Sequence, residues 1–391
     1  MAEPRRIALL GSTGSIGLQA LDVISAFPDR FRVVALACRG SALGVLVAQA
    51  RQHRPRLLAV ADPQAAGRAA AVLRGMHWQV EVVSGPEAMT RCATLPEADL
   101  VLAAAAGIAG LSPVWEAVRA GKTVALANKE PIVVAGHLIT AEAARSGAQL
   151  LPVDSEHSAI FQLLLGQDRS AVRRVVLTAS GGAFRDLPTE ALDGVTPGQA
   201  LAHPTWKMGP KVTVDAATLM NKGLEIIEAR WLFGLRPEQI EVMLHPESIV
   251  HSLVEFVDGS VLAQMANPDM RLPIQFALSY PERLPRAEPA VDLTRLGALH
   301  FSPLPPDRWP CLRLAREALA AGGTAPAVLS AADEVAVSWF LEGRIKFTRI
   351  PAIIEAALAG REVSAGESVA DLLAVDREVR EQLEKDRVRW A

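Results

Sequence analysis

The feature that most restricts this chain is an alternation running through its first 150 residues. Short β-rich runs occur at Arg6–Leu10, Arg32–Leu36, Leu57–Ala61, Gln79–Val83, Asp99–Ala104, Thr123–Ala127 and Gln149–Val153. Ala- and Leu-rich stretches of helical length separate them. Strand, helix, strand in repetition predicts a parallel sheet with helices on both faces. Half the residues are apolar, yet aromatics are only 5% and Tyr280 is the sole tyrosine. The interior must therefore be built from Ala, Val, Leu and Ile, which suits helices laid on parallel strands.

The pattern changes after residue 150. A strand is expected at Arg174–Thr178, then a Gly-, Pro- and Trp-rich loop at His203–Lys211, then a helix from Asp215 to Leu232. Met220, Leu224, Ile227 and Trp231 would form its buried stripe. Strands at Ile240–Leu244, Ile249–Phe256 and Ser260–Met265 follow, the last two joined at Asp258-Gly259, a hairpin signal. Residues 281–310 hold Pro281, Pro285, Pro289, Pro303, Pro305, Pro306 and Pro310, too many for a sheet interior or a long helix, so an ordered linker is expected. Beyond it the pattern is helical, with expected breaks at Gly322-Gly323, Gly343, Pro351 and Gly360. The expected organisation is α/β: a Rossmann-like parallel sheet in 1–150, a central α/β domain in 151–285, a linker at 286–310 and a C-terminal helical domain in 311–391. A length of 391 residues accommodates two to three domains.

Charge and cysteine usage narrow the function classes. Forty basic against 43 acidic residues give a net charge of −3, without the basic excess of a general nucleic-acid or acidic-membrane binder. Cys38, Cys92 and Cys311 are odd in number and far apart, so a disulfide framework or zinc site is not expected and a cytoplasmic setting is. No long apolar segment with a cleavage site follows the first residues. The most apolar stretch, Leu100 to Leu111, is too short to span a membrane.

Gly11-Ser12-Thr13-Gly14-Ser15-Ile16-Gly17 directly follows the first strand and opens a helix. Glycines there allow a tight turn and close backbone approach, and the helix start offers free N–H groups to a pyrophosphate. The spacing is GxxGxxG rather than GxGxxG; a ligand-free glycine turn is the plain alternative. The second strand ends in Cys38-Arg39-Gly40-Ser41, with no acid to take a ribose 2′-hydroxyl and with an arginine and a serine suited to a 2′-phosphate. NADPH is therefore favoured over NADH.

Asp154 and Glu156 lie two apart after the seventh strand, and would share a face if that strand continued. Asn221, Glu225 and Glu228 fall in one sector of the predicted helix, beside its buried stripe. Carboxylates without cysteines would select Mg²⁺ or Mn²⁺ over Zn²⁺. Glu225 and Glu228 as surface charges are the competing reading. Ser180-Gly181-Gly182 ends a strand in small residues whose N–H groups suit a phosphate, and Asn221-Lys222 adds an amide and a cation. The loop containing Trp206 and Met208 suits a lid over substrate. Asn128-Lys129-Glu130 follows another strand end.

Together these residues resemble the 1-deoxy-D-xylulose 5-phosphate reductoisomerase family of isoprenoid precursor synthesis. The resemblance rests on LGSTGSIG from Leu10, ANKE from Ala127, PVDSEHSAIFQ from Pro152 and ASGGAFR from Ala179. It continues through HPTWKMG from His203, VDAATLMNKGLEIIEARWLF from Val214, HPESIVHS from His245 and NPDMRLPI from Asn267. It implies that Gly11, Thr13, Gly14, Ser15 and Ile16 bind NADPH, with Arg39, Gly40 and Ser41 at the 2′-phosphate and Asn128, Glu130 and Gly209 also on the cofactor. It implies that Asp154, Glu156 and Glu225 hold Mg²⁺ or Mn²⁺. Lys129, Ser155, Ser180, His203, Asn221 and Lys222 would bind the sugar phosphate, with Trp206 and Met208 in a mobile lid. Lys129, Asp154, Glu156, Glu225 and His203 would be the catalytic set, in a homodimer. The chain departs from the family at Ala216, where a phosphate-binding serine is usual. It departs also in the Arg39-Gly40-Ser41 loop and at Lys207, Pro210 and Pro131. Two other readings are a plain NADP-dependent dehydrogenase of another small anion, and a non-catalytic NADPH-binding protein.

Charge reversal at Arg39 tests the cofactor reading. Arg39→Glu is expected to weaken NADPH binding by about tenfold or more, the loss of one charge-assisted contact, and NADH binding far less. Equal losses for both nucleotides in a titration would contradict the assignment.

Overall fold

A computed structural model describes residues 3–75, 78–285, 290–305 and 307–390. Pro289 and Pro306, with the rest of 286–289 of the expected linker, lie outside the described residues. The chain divides into two compact units. One comprises residues 1–131, 137–154 and 270–286; the other comprises 132–136, 155–269 and 287–391.

The first unit carries a seven-stranded sheet of β1 (Arg5–Leu10), β2 (Phe31–Cys38), β3 (Leu57–Val60), β4 (Glu81–Ser84), β5 (Leu100–Ala103), β6 (Thr123–Leu126) and β7 (Leu150–Pro152). All neighbours pair in parallel, in the order β4-β3-β2-β1-β5-β6-β7. The seven runs expected from sequence are these seven strands. Their buried residues are Ala, Val, Leu and Ile for the reason given above: a parallel strand covered on both faces has no polar side. The order reverses between β1 and β5, the topological switch point where α/β sheets bind ligands. The glycine turn follows β1 at that point.

The turn's glycines are required by space. Gly11 has φ +83°, and a Cβ there would lie 2.3 Å from the Ala104 carbonyl oxygen. A Cβ on Gly17 would lie 2.3 Å from the Gly11 oxygen and 2.5 Å from the Ser12 oxygen. Gly14 is less crowded, its nearest contact being 3.4 Å, and it caps the helix Ser15–Ala26. Gln49 donates to the Ser12 carbonyl at 2.8 Å, tying the turn to the next helix. Segment 270–286 joins this unit through the helix Arg271–Ser279 and through Arg5, which donates to the carbonyls of Leu278 and Tyr280 at 3.0 and 3.2 Å.

The second unit is built on β8 (Val172–Ala179), β9 (Ile240–Leu244), β10 (Val250–Phe256), β11 (Val261–Met265) and β12 (Ser302–Pro303). Their order is β11-β10-β8-β9-β12, with only β8 and β9 parallel. The Asp258-Gly259 hairpin joins β10 to β11. β12 lies at the sheet edge, where proline costs no ladder bond. His245 fixes it there: its Nδ1 bonds the His300 carbonyl at 2.9 Å, and its Nε2 accepts from the amides of Ile249 and Val250.

Three expectations change. The helix placed over Asp215–Leu232 is two helices, Pro210–Thr218 and Met220–Phe233, broken at Leu219 with φ 57°. The Thr218 hydroxyl accepts the Met220 amide at 3.2 Å and supports that turn. Pro210 and Lys211, expected in the loop, form its first turn. Met220, Leu224 and Ile227 are buried as expected, while Trp231 is half-buried. Pro351 does not break a helix. It sits in the first turn of Arg349–Ala359, where its missing N–H had no partner to lose. The C-terminal helices share one core with the central strands: Val175 and Leu177 of β8, Leu224 and Ile227, and Phe340, Ile353 and Val379 belong to the same buried cluster. No helix among the described residues is long and apolar enough to cross a membrane.

Two glycine substitutions should shift stability in opposite directions. Gly17→Ala drives a methyl into two backbone oxygens and should cost about 1–3 kcal/mol. Gly67→Ala, mid-helix with nothing within 4 Å, should add roughly 0.5–1 kcal/mol. Urea unfolding midpoints measure both; equal midpoints would refute the steric account.

Candidate active site

The strand ends of the first sheet collect the expected cofactor residues of the first unit at one edge, while Gly209 belongs to the second unit, at the start of the helix Pro210–Thr218. The Gly11 and Ser12 amides bond the Ala37 carbonyl at 2.8 and 2.9 Å. Thr13, Ser15 and Ile16 therefore lie beyond β1, beside Arg39, Gly40 and Ser41 beyond β2. Gly40 has φ +110°, and a Cβ there would lie 2.7 Å from Ala65. Asn128, beyond β6, donates to the Gly107 carbonyl at 3.0 Å, leaving no room for a side chain at Gly110. Lys129 forms an ion pair with Asp154, and Glu130 is buried. Lys129 is therefore engaged at the edge rather than in a solvated surface pair.

The strand before Asp154 does not continue. β7 stops at Pro152 and a helix, Ser155–Leu163, begins, so Asp154 and Glu156 do not share a strand face. Glu156 stands in the first turn of that helix, where a carboxylate is favoured by the helix dipole.

In the second unit Lys222 binds two carboxylates, Glu156 at 3.1 Å and Glu225 at 2.6 Å. Glu225 is fully buried, so the reading of Glu225 as a surface charge fails; Glu228, also buried, fails it too. Asn221 donates to the other Glu225 oxygen at 2.7 Å, and the Ser155 hydroxyl donates to Glu156 at 2.5 Å. The His157 ring bonds the Glu225 carbonyl at 2.9 Å through Nε2, joining the two helices that carry the acids. The Ser252 hydroxyl donates to the Glu156 carbonyl at 3.1 Å. This donor set of carboxylate and amide oxygens is what a hard divalent cation accepts, and it offers no thiolate.

Ser180 and His203 meet at 2.9 Å, between Oγ and Nε2. The Nδ1 atom of His203 accepts the amides of Thr205 and Trp206 at 3.2 and 2.9 Å. That network assigns the proton to Nε2, so His203 donates to Ser180. Gly181 and Gly182 have φ of +84° and +68°, and the Gly182 amide donates to the Ser180 hydroxyl at 3.2 Å. A Cβ on Gly182 would meet the Ala216 oxygen at 2.5 Å, so the turn packs directly against the helix carrying Ala216. The loop from His203 to Gly209 has no regular structure. Trp206 is half-buried with its ring 6.0 Å from His251, and Met208 is half-buried as well.

Four contributors were not singled out from sequence: His157, Arg185, His251 and Ser252. Each lies inside a quoted motif, but nothing in its spacing marks its contact. Arg185 donates to the Ser180 carbonyl at 3.1 Å.

Dinucleotide-type turn, buried carboxylates and a serine–histidine pair on small residues define a cofactor-dependent α/β enzyme of small anionic substrates. Family models described as 1-deoxy-D-xylulose 5-phosphate reductoisomerase match residues 7–136, and models of its C-terminal domains match 150–233 and 265–382. A reductoisomerase of that name from Shouchella clausii is 51% identical over 381 residues, covering 97% of this chain and all of the relative. One from Anaeromyxobacter dehalogenans is 52% identical, covering 97% of each. A crystal structure of DOX-P reductoisomerase with NADPH, fosmidomycin and magnesium superposes with TM-score 0.93 at 38% identity, covering 98% of each chain. The Zymomonas mobilis enzyme with NADPH gives 0.91 at 40% identity, covering 98% of this chain and 99% of that one. The chain belongs to the 1-deoxy-D-xylulose 5-phosphate reductoisomerase family.

Burial, and secondarily the Arg185 cation, lower the His203 pKa below the ordinary 6.5. The folded protein then binds fewer protons than the unfolded chain. The stability contributed by neutral His203 is present above the unfolded value and is lost as pH falls through the folded one. An NMR titration of the imidazole nitrogens should place the midpoint below 6.5; a midpoint at or above it would contradict the network.

Proposed function

We propose the following roles for these residues in the family reaction. The chain is an NADPH- and divalent-metal-dependent enzyme converting 1-deoxy-D-xylulose 5-phosphate into 2-C-methyl-D-erythritol 4-phosphate, a step of isoprenoid precursor synthesis. The observation that carries the assignment of roles is the pair of carboxylates, Glu156 and Glu225, gathered on Lys222.

Asp154, Glu156 and Glu225 would hold the metal, Mg²⁺ or Mn²⁺. Only Ser155 separates Asp154 from Glu156, so their carboxylates are tethered by the chain itself. When bound, the cation supplies Lewis acidity at the substrate's carbonyl and neighbouring hydroxyl. NADPH supplies the hydride. Gly11, Thr13, Gly14, Ser15 and Ile16 would take its pyrophosphate, Arg39, Gly40 and Ser41 its 2′-phosphate, and Asn128, Glu130 and Gly209 further contacts.

The protein's own groups anchor and enclose. Ser180, His203, Asn221 and Lys222 would bind the sugar phosphate, aided by the neutral Nε2–H of His203. Ser155 and Lys129 would orient the carbon skeleton. A carbon–carbon bond of the sugar breaks and re-forms before reduction, so both fragments must stay in place. An anchored phosphate and a closed loop bearing Trp206 and Met208 meet that need. Residues 1–150 would form the NADPH-binding part, 151–285 the metal, substrate and dimer part, and 311–391 a helical support behind the 286–310 linker. The enzyme would act as a cytoplasmic homodimer.

NADPH absorbance read with the sugar phosphate present, with and without Mg²⁺, tests the assignment. Oxidation is expected only with metal, and Glu225→Gln should lower it by about 100-fold. Metal-independent oxidation, or full activity in Glu225→Gln, would overturn the proposed metal set.

A further inference from the structure

Lys211 occupies an unfavourable place for a cation. It stands in the first turn of the helix Pro210–Thr218, where the helix dipole favours negative charge. Its ammonium is held instead by two carboxylates, Asp215 at 2.7 Å and Asp333 at 2.8 Å. Both acids are buried, at 1% and 0% exposure, while the lysine side chain keeps 26%. Asp215 is one turn along the same helix. Asp333 comes from a different element, the helix Ala325–Leu341, deep in the core of the second unit.

The position of this cluster gives it a consequence. Lys211 is two residues beyond Gly209, where the irregular segment from His203 ends. Thr213 reinforces that end by donating to the Gly209 carbonyl at 2.8 Å. The helix Pro210–Thr218 then leads through the Leu219 turn into the helix carrying Asn221, Lys222 and Glu225. One end of the Trp206 and Met208 loop is therefore bolted to the core at Lys211. The other end is tied at His203, through Ser180.

We infer that Lys211 is a positioning residue: its ammonium, held between Asp215 and Asp333, fixes the C-terminal end of the 203–209 loop so that Trp206 and Met208 close over the sugar phosphate. This rests on the reading of that loop as a lid. Lys211 touches no reacting atom in this account. Its loss acts through loop placement, raising KM for the sugar phosphate more than it lowers kcat.

The test uses the full-length enzyme with NADPH and Mg²⁺. Lys211→Met leaves two buried acids without their cation and can unfold the protein, so Lys211→Met/Asp333→Asn, which removes one buried charge, is the working variant. Thermal unfolding, KM, kcat and tryptic cleavage after the exposed Lys207 are measured with and without sugar phosphate. In the wild type, substrate should slow cleavage at Lys207. The double variant should still fold, with a lowered unfolding temperature, yet lose that protection and show KM raised by about tenfold. Lys211→Arg should restore both. A stable double variant with wild-type KM and protection would overturn the inference. So would failure of both Lys211→Met variants to fold beside an unaltered Lys211→Arg, which would make the cluster a requirement of folding only. Absence of substrate protection in the wild type is a separate result: it removes the lid reading and this inference with it.

Discussion

The second unit depends on one ammonium. Lys222 sits between Glu156 and Glu225, whose helices meet nowhere near each other in sequence. The buried Glu225 and the half-buried Glu156 would repel one another, and Glu225 would carry a desolvation cost that water no longer offsets. Lys222 offsets both terms, with Asn221 and Ser155 satisfying the remaining oxygens. Removing one partner from such a buried set costs about 3–5 kcal/mol, because the survivors stay buried and unbalanced. The ammonium between the two acids is thus part of what orders the two helices. His157 adds a second link between them through the Glu225 carbonyl.

Backbone geometry plays the corresponding part in the first unit. The turn after β1 is ordered because Gly11 and Gly17 let oxygens of Ala104 and of the turn itself approach to distances no side chain tolerates. Gly14, with room to spare, is the glycine that leaves the helix start open. Close packing below and open backbone above is what a turn needs if it is to present amides to a pyrophosphate.

The sheet of the first unit was legible in the sequence because buried parallel strands are continuous apolar runs, and all seven lie within two or three residues of where the runs occur. The helix break at Leu219 was not legible. Leucine carries no turn signature, and its left-handed backbone is held by the Thr218 hydroxyl and by packing. Pro351 misled in the opposite direction, since a proline breaks a helix only beyond its first turn. The carboxylates were recognised as a set, but their relation was misjudged: Asp154-x-Glu156 spans a strand end and a helix start, and face-sharing holds only while one period persists. His157, Arg185 and Ser252 act through contacts with residues 5 to 96 positions away, which no local pattern encodes. The union of the C-terminal helices with the central strands in one core is long-range in the same sense.

The choice of cation is itself informative. The chain has seven lysines against 33 arginines, so lysine is the exception wherever it occurs. Three of the seven, Lys129, Lys211 and Lys222, are paired with carboxylates at or beside the candidate site. Arginine also bridges acids, as in Arg380, which grips Asp376 with two nitrogens and Glu334 with one, each at 2.8 Å. A guanidinium imposes its planar fork on its partners, whereas an ammonium is a compact point charge on a flexible stem with no fixed fork to match. A near-zero net charge hid this arrangement in the composition: the cations are few at the site, but each is placed where two negative groups would otherwise stand alone or where one must be shared.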